Sequence, residues 1–188
     1  TDFKMFAENT VCVGSCCSAE VDLSILEPGE IPRMAQINLY RRLNNGTEVS
    51  EWLPAGVFYV DTRSIEEDVL TLHGFDAMLK AEQTFLLTDD VGEWPRSCVV
   101  VVNEICARMG VTLDDRTVLN PPYMVDYPND YTMRELLGYI AGAHAGNWIM
   151  TPAGKLRLIT LAETPPETTL LMDDYGDTIC FGEVRIIV

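Results

Sequence analysis

The stretch that decides the fold is YTMRELLGYIAGAHAGNWIMTPAGKLRLITL, residues 131–161. Thr132 and Glu135 have the spacing of a capping box, in which each residue satisfies a backbone N–H of the other at the start of a helix. The residues that follow repeat an apolar side chain at helical spacing, which predicts one buried face. These apolar residues are Met133, Leu136, Leu137, Ile140 and Ala141. Gly146 is predicted to end the helix in the left-handed conformation.

A β-hairpin is predicted directly after this helix. Asn147–Met150 and Lys155–Thr160 have strand composition, and Thr151-Pro152-Ala153-Gly154 between them is a type I turn signal. The unit is therefore a helix followed by a hairpin.

Composition excludes several classes of protein. With 188 residues, 47% of them hydrophobic, the chain is long enough for a sizeable core, and no apolar run approaches the length of a membrane span, so we expect no membrane anchor. The net charge of −16 opposes binding to phosphate backbones and to anionic lipid, although an acidic surface can line a channel through which DNA slides. No secretory signal is visible, and six cysteines in 188 residues indicate reduced thiols in a protein made in the cytoplasm.

The first 73 residues predict an antiparallel meander of about five strands. The strand segments are 11–25, 33–43, the segment after Thr47, 57–61 and 69–73, with Asn44-Asn45-Gly46 as a hairpin turn and Trp52–Gly56 as an interruption.

From Gly74 onward the pattern becomes helical. Phe75–Gln83 and Ser97–Met109 are predicted helices, the second ended by Gly110, and 114–130 is predicted to be a long proline-containing loop. Together with the opening unit this gives an α+β fold, in which residues 1–73 and 161–188 form an antiparallel β-barrel and residues 74–160 form an inserted α+β subdomain.

The sequence contains candidate residues for two kinds of chemical site, a metal site and a thiol hydrolase site. Cys12, Cys16 and Cys17, with His73 or His144, could hold a metal ion, but paired Cys-x-x-Cys knuckles are missing. Free cysteines otherwise pack as small apolar residues.

A thiol hydrolase would use Cys98 or Cys106 as the nucleophile, with His144 as the base and Asn147 as the orienting group. No nucleophile motif surrounds either cysteine, and the sequence contains no phosphate-binding loop and no zinc-protease motif. We therefore expect no catalytic residue, no metal and no cofactor in this chain.

The order of three motif groups resembles the hub proteins of phage and prophage tail baseplates, including the N-terminal region of tail-associated lysins and prophage tail endopeptidase-like proteins. A W-x-P-x-G-x-F-x-x-D strand precedes a D-A-M helix, a T-x-R-E helix follows, and a G-N-W hairpin with G-K-L closes the series. The signature residues are Trp52, Pro54, Gly56, Phe58, Asp61, Asp76, Met78, Thr132, Arg134, Glu135, Gly146, Asn147 and Gly154.

The resemblance implies a structural role in the virion tail. It implies a homotrimer with tube-like β-barrels that joins the tail tube to the tip or spike, with DNA passing through the ring without specific binding. Any lytic activity would lie outside this chain.

Overall fold

The computed structural model describes residues 2–4, 13–26, 29–86, 92–161, 180–181 and 184–185, with only the backbone described at 2–4, 180–181 and 184–185. The fold is α+β. A curled antiparallel sheet is built by the chain up to Asp76, and a layer of helices and a hairpin follows.

The sheet has five strands: β1 Asp2–Lys4, β2 Glu20–Leu26, β3 Gln36–Arg41, β4 Leu53–Glu66 and β5 Val69–Asp76. Their order is β1-β2-β5-β4-β3, with every neighbouring pair antiparallel. The predicted antiparallel sheet is confirmed, but the predicted meander is wrong for β2, which pairs with β5 rather than with β3. In the described part of the chain, β1 and β3 are the edge strands of this sheet. The sheet is curled, and the described residues do not close it into the predicted barrel.

The predicted interruption at Trp52–Gly56 is wrong, because β4 runs unbroken for 14 residues from Leu53. Pro54 is tolerated since pairing of β4 with β5 begins only at Phe58, so Pro54 has strand β3 alone beside it, next to a register shift between Leu39 and Tyr40. The predicted turn at Asn44–Gly46 is present, with Gly46 at φ +89° and its N–H donated to Asn44 Oδ1 at 2.8 Å.

Two predicted segments are shorter than the sequence indicates. Residues 13–19 precede β2 rather than forming part of it. The predicted helix Phe75–Gln83 is a 3₁₀ helix, Ala77–Glu82, because Phe75 and Asp76 remain in β5.

The second layer contains helix α1 Cys98–Met109, helix α2 Met133–Ala143, strands β8 Gly146–Met150 and β9 Leu156–Thr160, and a two-residue pair of β6 Arg96–Ser97 with β7 Met124–Val125. Helix α1 is as predicted, since its apolar positions are buried and Gly110 ends it at φ +70°. The hairpin β8–β9 is also confirmed, with Gly154 at φ +76° in its turn.

Chain segments lie on both sides of this hairpin. Ser15 O accepts from Trp148 N–H and Trp148 O accepts from Cys17 N–H, each at 2.9 Å, so the segment before β2 runs parallel to β8. On the other side Leu156 O accepts from Asp114 N–H at 2.8 Å.

The two layers differ in the size of their cores. The helical layer has a cluster of twenty buried hydrophobic residues, which includes Tyr59 from the sheet, whereas the cluster specific to the sheet contains three, Val60, Leu70 and Leu72. None of the helices in the described residues has the length and apolar character that crossing a membrane requires.

Of the predicted barrel segment 161–188, the structure describes Leu161 and two short strands, β10 Cys180–Phe181 and β11 Val184–Arg185, which pair with each other. The rest of that segment, with its predicted strand 178–188, lies outside the described residues.

Candidate functional site at the junction of sheet and helices

Asp76 lies where the sheet ends and the 3₁₀ helix begins. Its Oδ1 accepts from Met78 N–H at 2.9 Å as an N-cap, and its Oδ2 accepts from Ala19 N–H at 2.7 Å. The residue is 3% exposed, and burial raises the pKa of its carboxyl from 3.8 to about 6, although the two N–H groups and Arg134 oppose this shift. One carboxylate therefore ties together strand β5, the start of β2 and the helical layer.

Arg134, in the first turn of α2, connects this helix to the segment before β2 and to the 3₁₀ helix. Its Nη2 donates to Cys16 O at 2.6 Å and to Ser18 Oγ at 3.2 Å, while its Nη1 donates to Glu82 Oε1 at 2.5 Å. The planar guanidinium suits this task because its several donors point in fixed directions. The T-x-R-E motif does not predict these contacts of Arg134. Predicting them would require knowing which segment of the chain packs against helix α2.

The predicted capping box is confirmed. Thr132 Oγ1 accepts from Glu135 N–H at 3.1 Å, and Glu135 Oε2 accepts from Thr132 N–H at 2.8 Å. The bonds that the backbone N–H and the hydroxyl of Thr132 donate to Glu135 Oε2 lower the pKa of this carboxyl.

The predicted role of Gly146 is wrong. The left-handed residue after α2 is Ala145, at φ +49°, and Gly146 is the first residue of β8. Glycine is needed there because a Cβ would lie 2.5 Å from Ile159 O on the neighbouring strand.

The other two hairpin residues of the signature also have structural surroundings. Asn147 Oδ1 accepts from Ser15 N–H at 2.9 Å, which holds the N-terminal segment beside β8. A Cβ on Gly154 would lie 3.0 Å from Val57 Cγ2, so the hairpin turn approaches strand β4 closely.

Most signature residues in and near β4 also have structural roles, in packing or in hydrogen bonding. Phe58 and Met78 are buried, and a Cβ on Gly56 would lie 2.3 Å from the Phe58 ring. Asp61 Oδ1 accepts from Arg33 Nη2 at 3.4 Å.

Trp52 and Pro54 are exceptions, because both are exposed. Trp52 is 60% exposed, and the guanidinium carbon of Arg42 lies 4.7 Å from its ring centroid. This exposure distinguishes Trp52 from the buried signature residues Phe58 and Met78.

The residues considered for a thiol hydrolase lie partly together. Cys98 and His144 line the same surface cleft. His144 Nε2 accepts from Asn120 N–H at 2.9 Å and its Nδ1 is 2.7 Å from Ile140 O, so both ring nitrogens hold backbone groups. Asn147, the third member considered, is engaged with Ser15.

The thiols of this constellation favour the protonated form. Cys98 Sγ donates to Asn120 O at 3.3 Å, and burial raises the pKa of its thiol. Burial also raises the pKa of Cys106 to about 11. The backbone contacts of His144 and the raised pKa values of the two thiols therefore do not favour a thiolate.

The residues considered for a metal site are used otherwise. Cys16 and Cys17 are buried free thiols, and Cys16 Sγ donates to Arg134 O at 3.4 Å. His73 Nδ1 lies 2.7 Å from Asp22 Oδ1 on the neighbouring strand. Cys12 lies outside the described residues, and within them no three metal-binding side chains form a group.

Strands of the sheet and the loops between them expose large apolar side chains. Six of them are more than half exposed: Leu26 at 74%, Leu43 at 72%, Ile65 at 68%, Trp52 at 60%, Tyr40 at 56% and Val49 at 51%. Tyr40 and Trp52 together line a shallow depression at the end of the sheet. These strands and loops therefore present apolar side chains that are exposed in the described part of the chain.

No family model matches the chain, and no curated protein matches it. Among solved structures, the chain is similar to the crystal structure of a 43 kDa tail protein of prophage MuSo2 from Shewanella oneidensis. The two have a TM-score of 0.49 and 15% sequence identity, and the alignment covers 83% of this chain and 50% of that chain. The chain thus spans about half the length of that tail protein.

Proposed function

We propose that this chain is a structural component of a bacteriophage or prophage tail, placed in the baseplate or tail-tip hub between the tail tube and the tip. The order of the three motif groups in the sequence supports this placement. The contacts of the signature residues agree with a scaffold, since Asp76, Arg134 and Asn147 each hold two chain segments together.

The observation that carries the proposal is the apolar surface of the sheet. Burying a large apolar side chain gains about 1.5–3 kcal/mol. Tyr40, Leu43, Val49 and Trp52, all exposed on or beside the connection between β3 and β4, therefore favour association at this end of the sheet. Among the described residues, the buried cluster within the sheet has three members, against twenty in that of the helical layer. We propose that copies of the chain associate through the sheet as a trimer, and that the curled sheets complete tube-like barrels in the assembly.

The charge of the chain fits this role. At −16 it repels phosphate, so a ring of such chains would let DNA pass during injection without retaining it. The proposal assigns a structural role, with no catalytic step, to this chain.

Electron microscopy of particles tests this placement. Cells that encode the chain are induced to release particles, and an antibody against the purified chain carries a gold label. We expect label at the distal end of the tails, as for a hub component. Particles with intact tails and no label would contradict the proposal, and so would label on the head.

A further inference from the structure

A surface cleft of about 330 Å³ lies between helix α2 and the loop before it. Four tyrosines line it: Tyr123, Tyr127, Tyr131 and Tyr139. They are between 39% and 60% exposed, so the rings stand at the surface rather than in the core. The rings of Tyr131 and Tyr139 lie 5.2 Å apart, and Tyr123 packs against His144 at 4.9 Å. The volume falls at the lower end of the range for small-molecule sites.

The cleft has negative character. Among the described residues, Asp126 lines it and no lysine or arginine does. In the described part of the chain the Asp126 carboxylate has no hydrogen-bond or ion-pair partner. His144 at the cleft wall has both nitrogens on backbone groups, so it offers no free donor to an anion. A tyrosine ring carries negative potential on its faces.

We infer that this cleft binds a small quaternary ammonium cation. Such a cation is attracted to aromatic faces by their quadrupole, and aromatic cages are the usual means of recognising it. A primary ammonium is strongly hydrated and has three N–H donors to satisfy, for which the cleft supplies one free carboxylate. A quaternary nitrogen has no N–H, so it enters a mostly apolar cleft with less loss of hydration.

This site is separate from the sheet surface used in the proposed assembly. It lies on the helical layer, and neither Trp52 nor Tyr40 lines it. The binding of a cation therefore neither requires nor excludes a role in a phage tail, and the two proposals fail independently.

Three small molecules test the inference against the full chain. Choline is the probe, its neutral tert-butyl analogue has the same shape without the charge, and ethanolamine has the charge on a primary amine. Binding is followed by the shifts of the tyrosine ring signals in nuclear magnetic resonance. We expect choline to bind at least about fivefold more tightly than either other compound, as a cation–π contribution of about 1 kcal/mol predicts. Equal binding of choline and the neutral analogue, or no binding of choline, would overturn the inference.

Variants locate the binding. Tyr139→Ala and Asp126→Asn should each weaken choline binding by at least about threefold, since the one removes a ring and the other the free carboxylate. Tyr40→Ala is the matched control, because Tyr40 is 56% exposed and lies on strand β3, away from the cleft. Asp126→Asn changes an exposed loop residue, so it tests the site even if Tyr139→Ala disturbs helix α2. Choline binding that stays unchanged in both cleft variants, or that falls equally in Tyr40→Ala, would refute the assignment.

Discussion

At the scale of single residues, the buried carboxyl of Asp76 makes the free energy of unfolding depend on pH. Its pKa is about 6 in the folded chain and 3.8 ordinarily, so between these values the folded state holds the proton more tightly than the unfolded state does. The stabilising effect of the proton is full below pH 3.8 and is lost as pH rises through about 6. The shift corresponds to about 3 kcal/mol in the free energy of unfolding.

The test compares the free energies of unfolding of the wild type and of Asp76→Asn. The contributions of all other carboxylates cancel in the difference. The free energy of unfolding is measured by urea denaturation at a series of pH values. From pH 4 to pH 7 the wild type should lose about 2 kcal/mol relative to the variant, less than the full shift because the unfolded carboxyl is still partly protonated at pH 4. A difference that does not change with pH would show that Asp76 is not desolvated in the folded chain.

Gly146 gives a second prediction at the scale of residues. The sequence predicted a left-handed residue there, whereas in the structure glycine is required because a side chain would clash with strand β9. Gly146→Ala should lower the free energy of unfolding by about 2 kcal/mol, since the added Cβ meets Ile159 O at 2.5 Å. Gly142→Ala is the control, as Gly142 is helical with only Gly14 Cα nearby at 3.9 Å, and alanine there should be neutral or stabilising. Equal effects of the two substitutions in thermal unfolding would argue against the close approach of β8 and β9.

At the scale of elements, helix α2 depends on its first turn. Thr132→Ala should lower the free energy of unfolding by about 1 kcal/mol, because the N-cap side chain that accepts from Glu135 N–H is lost. Thr112→Ala, at an exposed position in the loop after α1, serves as the control and should have little effect. Loss of assembly by Thr132→Ala at unchanged stability would show instead that this turn is part of an interface.

The elements that the sequence predicted correctly are those with complete local signals. Helix α1 has apolar residues at helical spacing and Gly110 behind it, and α2 has the Thr132 cap. The sequence predicted a strand at 57–61 but not the first residues of β4, because a proline is usually a break in a strand. Pro54 is accommodated since β5 does not pair with this part of β4.

The candidate site was less predictable than the elements. The Asp-Ala-Met motif marked Asp76, but its bond to Ala19 joins residues 57 positions apart, which no local pattern indicates. Arg134 to Cys16 spans 118 positions in the same way. The tyrosine cleft also depends on the packing of the loop against α2.

At the scale of the whole molecule, the exposed apolar side chains of the sheet should hold an assembly together. Trp52→Ala should weaken self-association at least about tenfold, as expected for a buried aromatic anchor at an interface. Val118→Ala is the control, because Val118 is 77% exposed but lies in the loop of the helical layer. Association constants come from sedimentation at several concentrations. Equal association of both variants would place the interface away from this end of the sheet.

The measurement that most directly tests the structural role is the molar mass of the purified chain in solution. Light scattering coupled to size exclusion gives it from micromolar to hundreds of micromolar concentration. We predict a species of three times the 21.0 kDa chain mass, and the fraction of the protein in this species should rise as the concentration rises. A mass that remains at 21.0 kDa over the whole range would contradict an assembly built through the sheet.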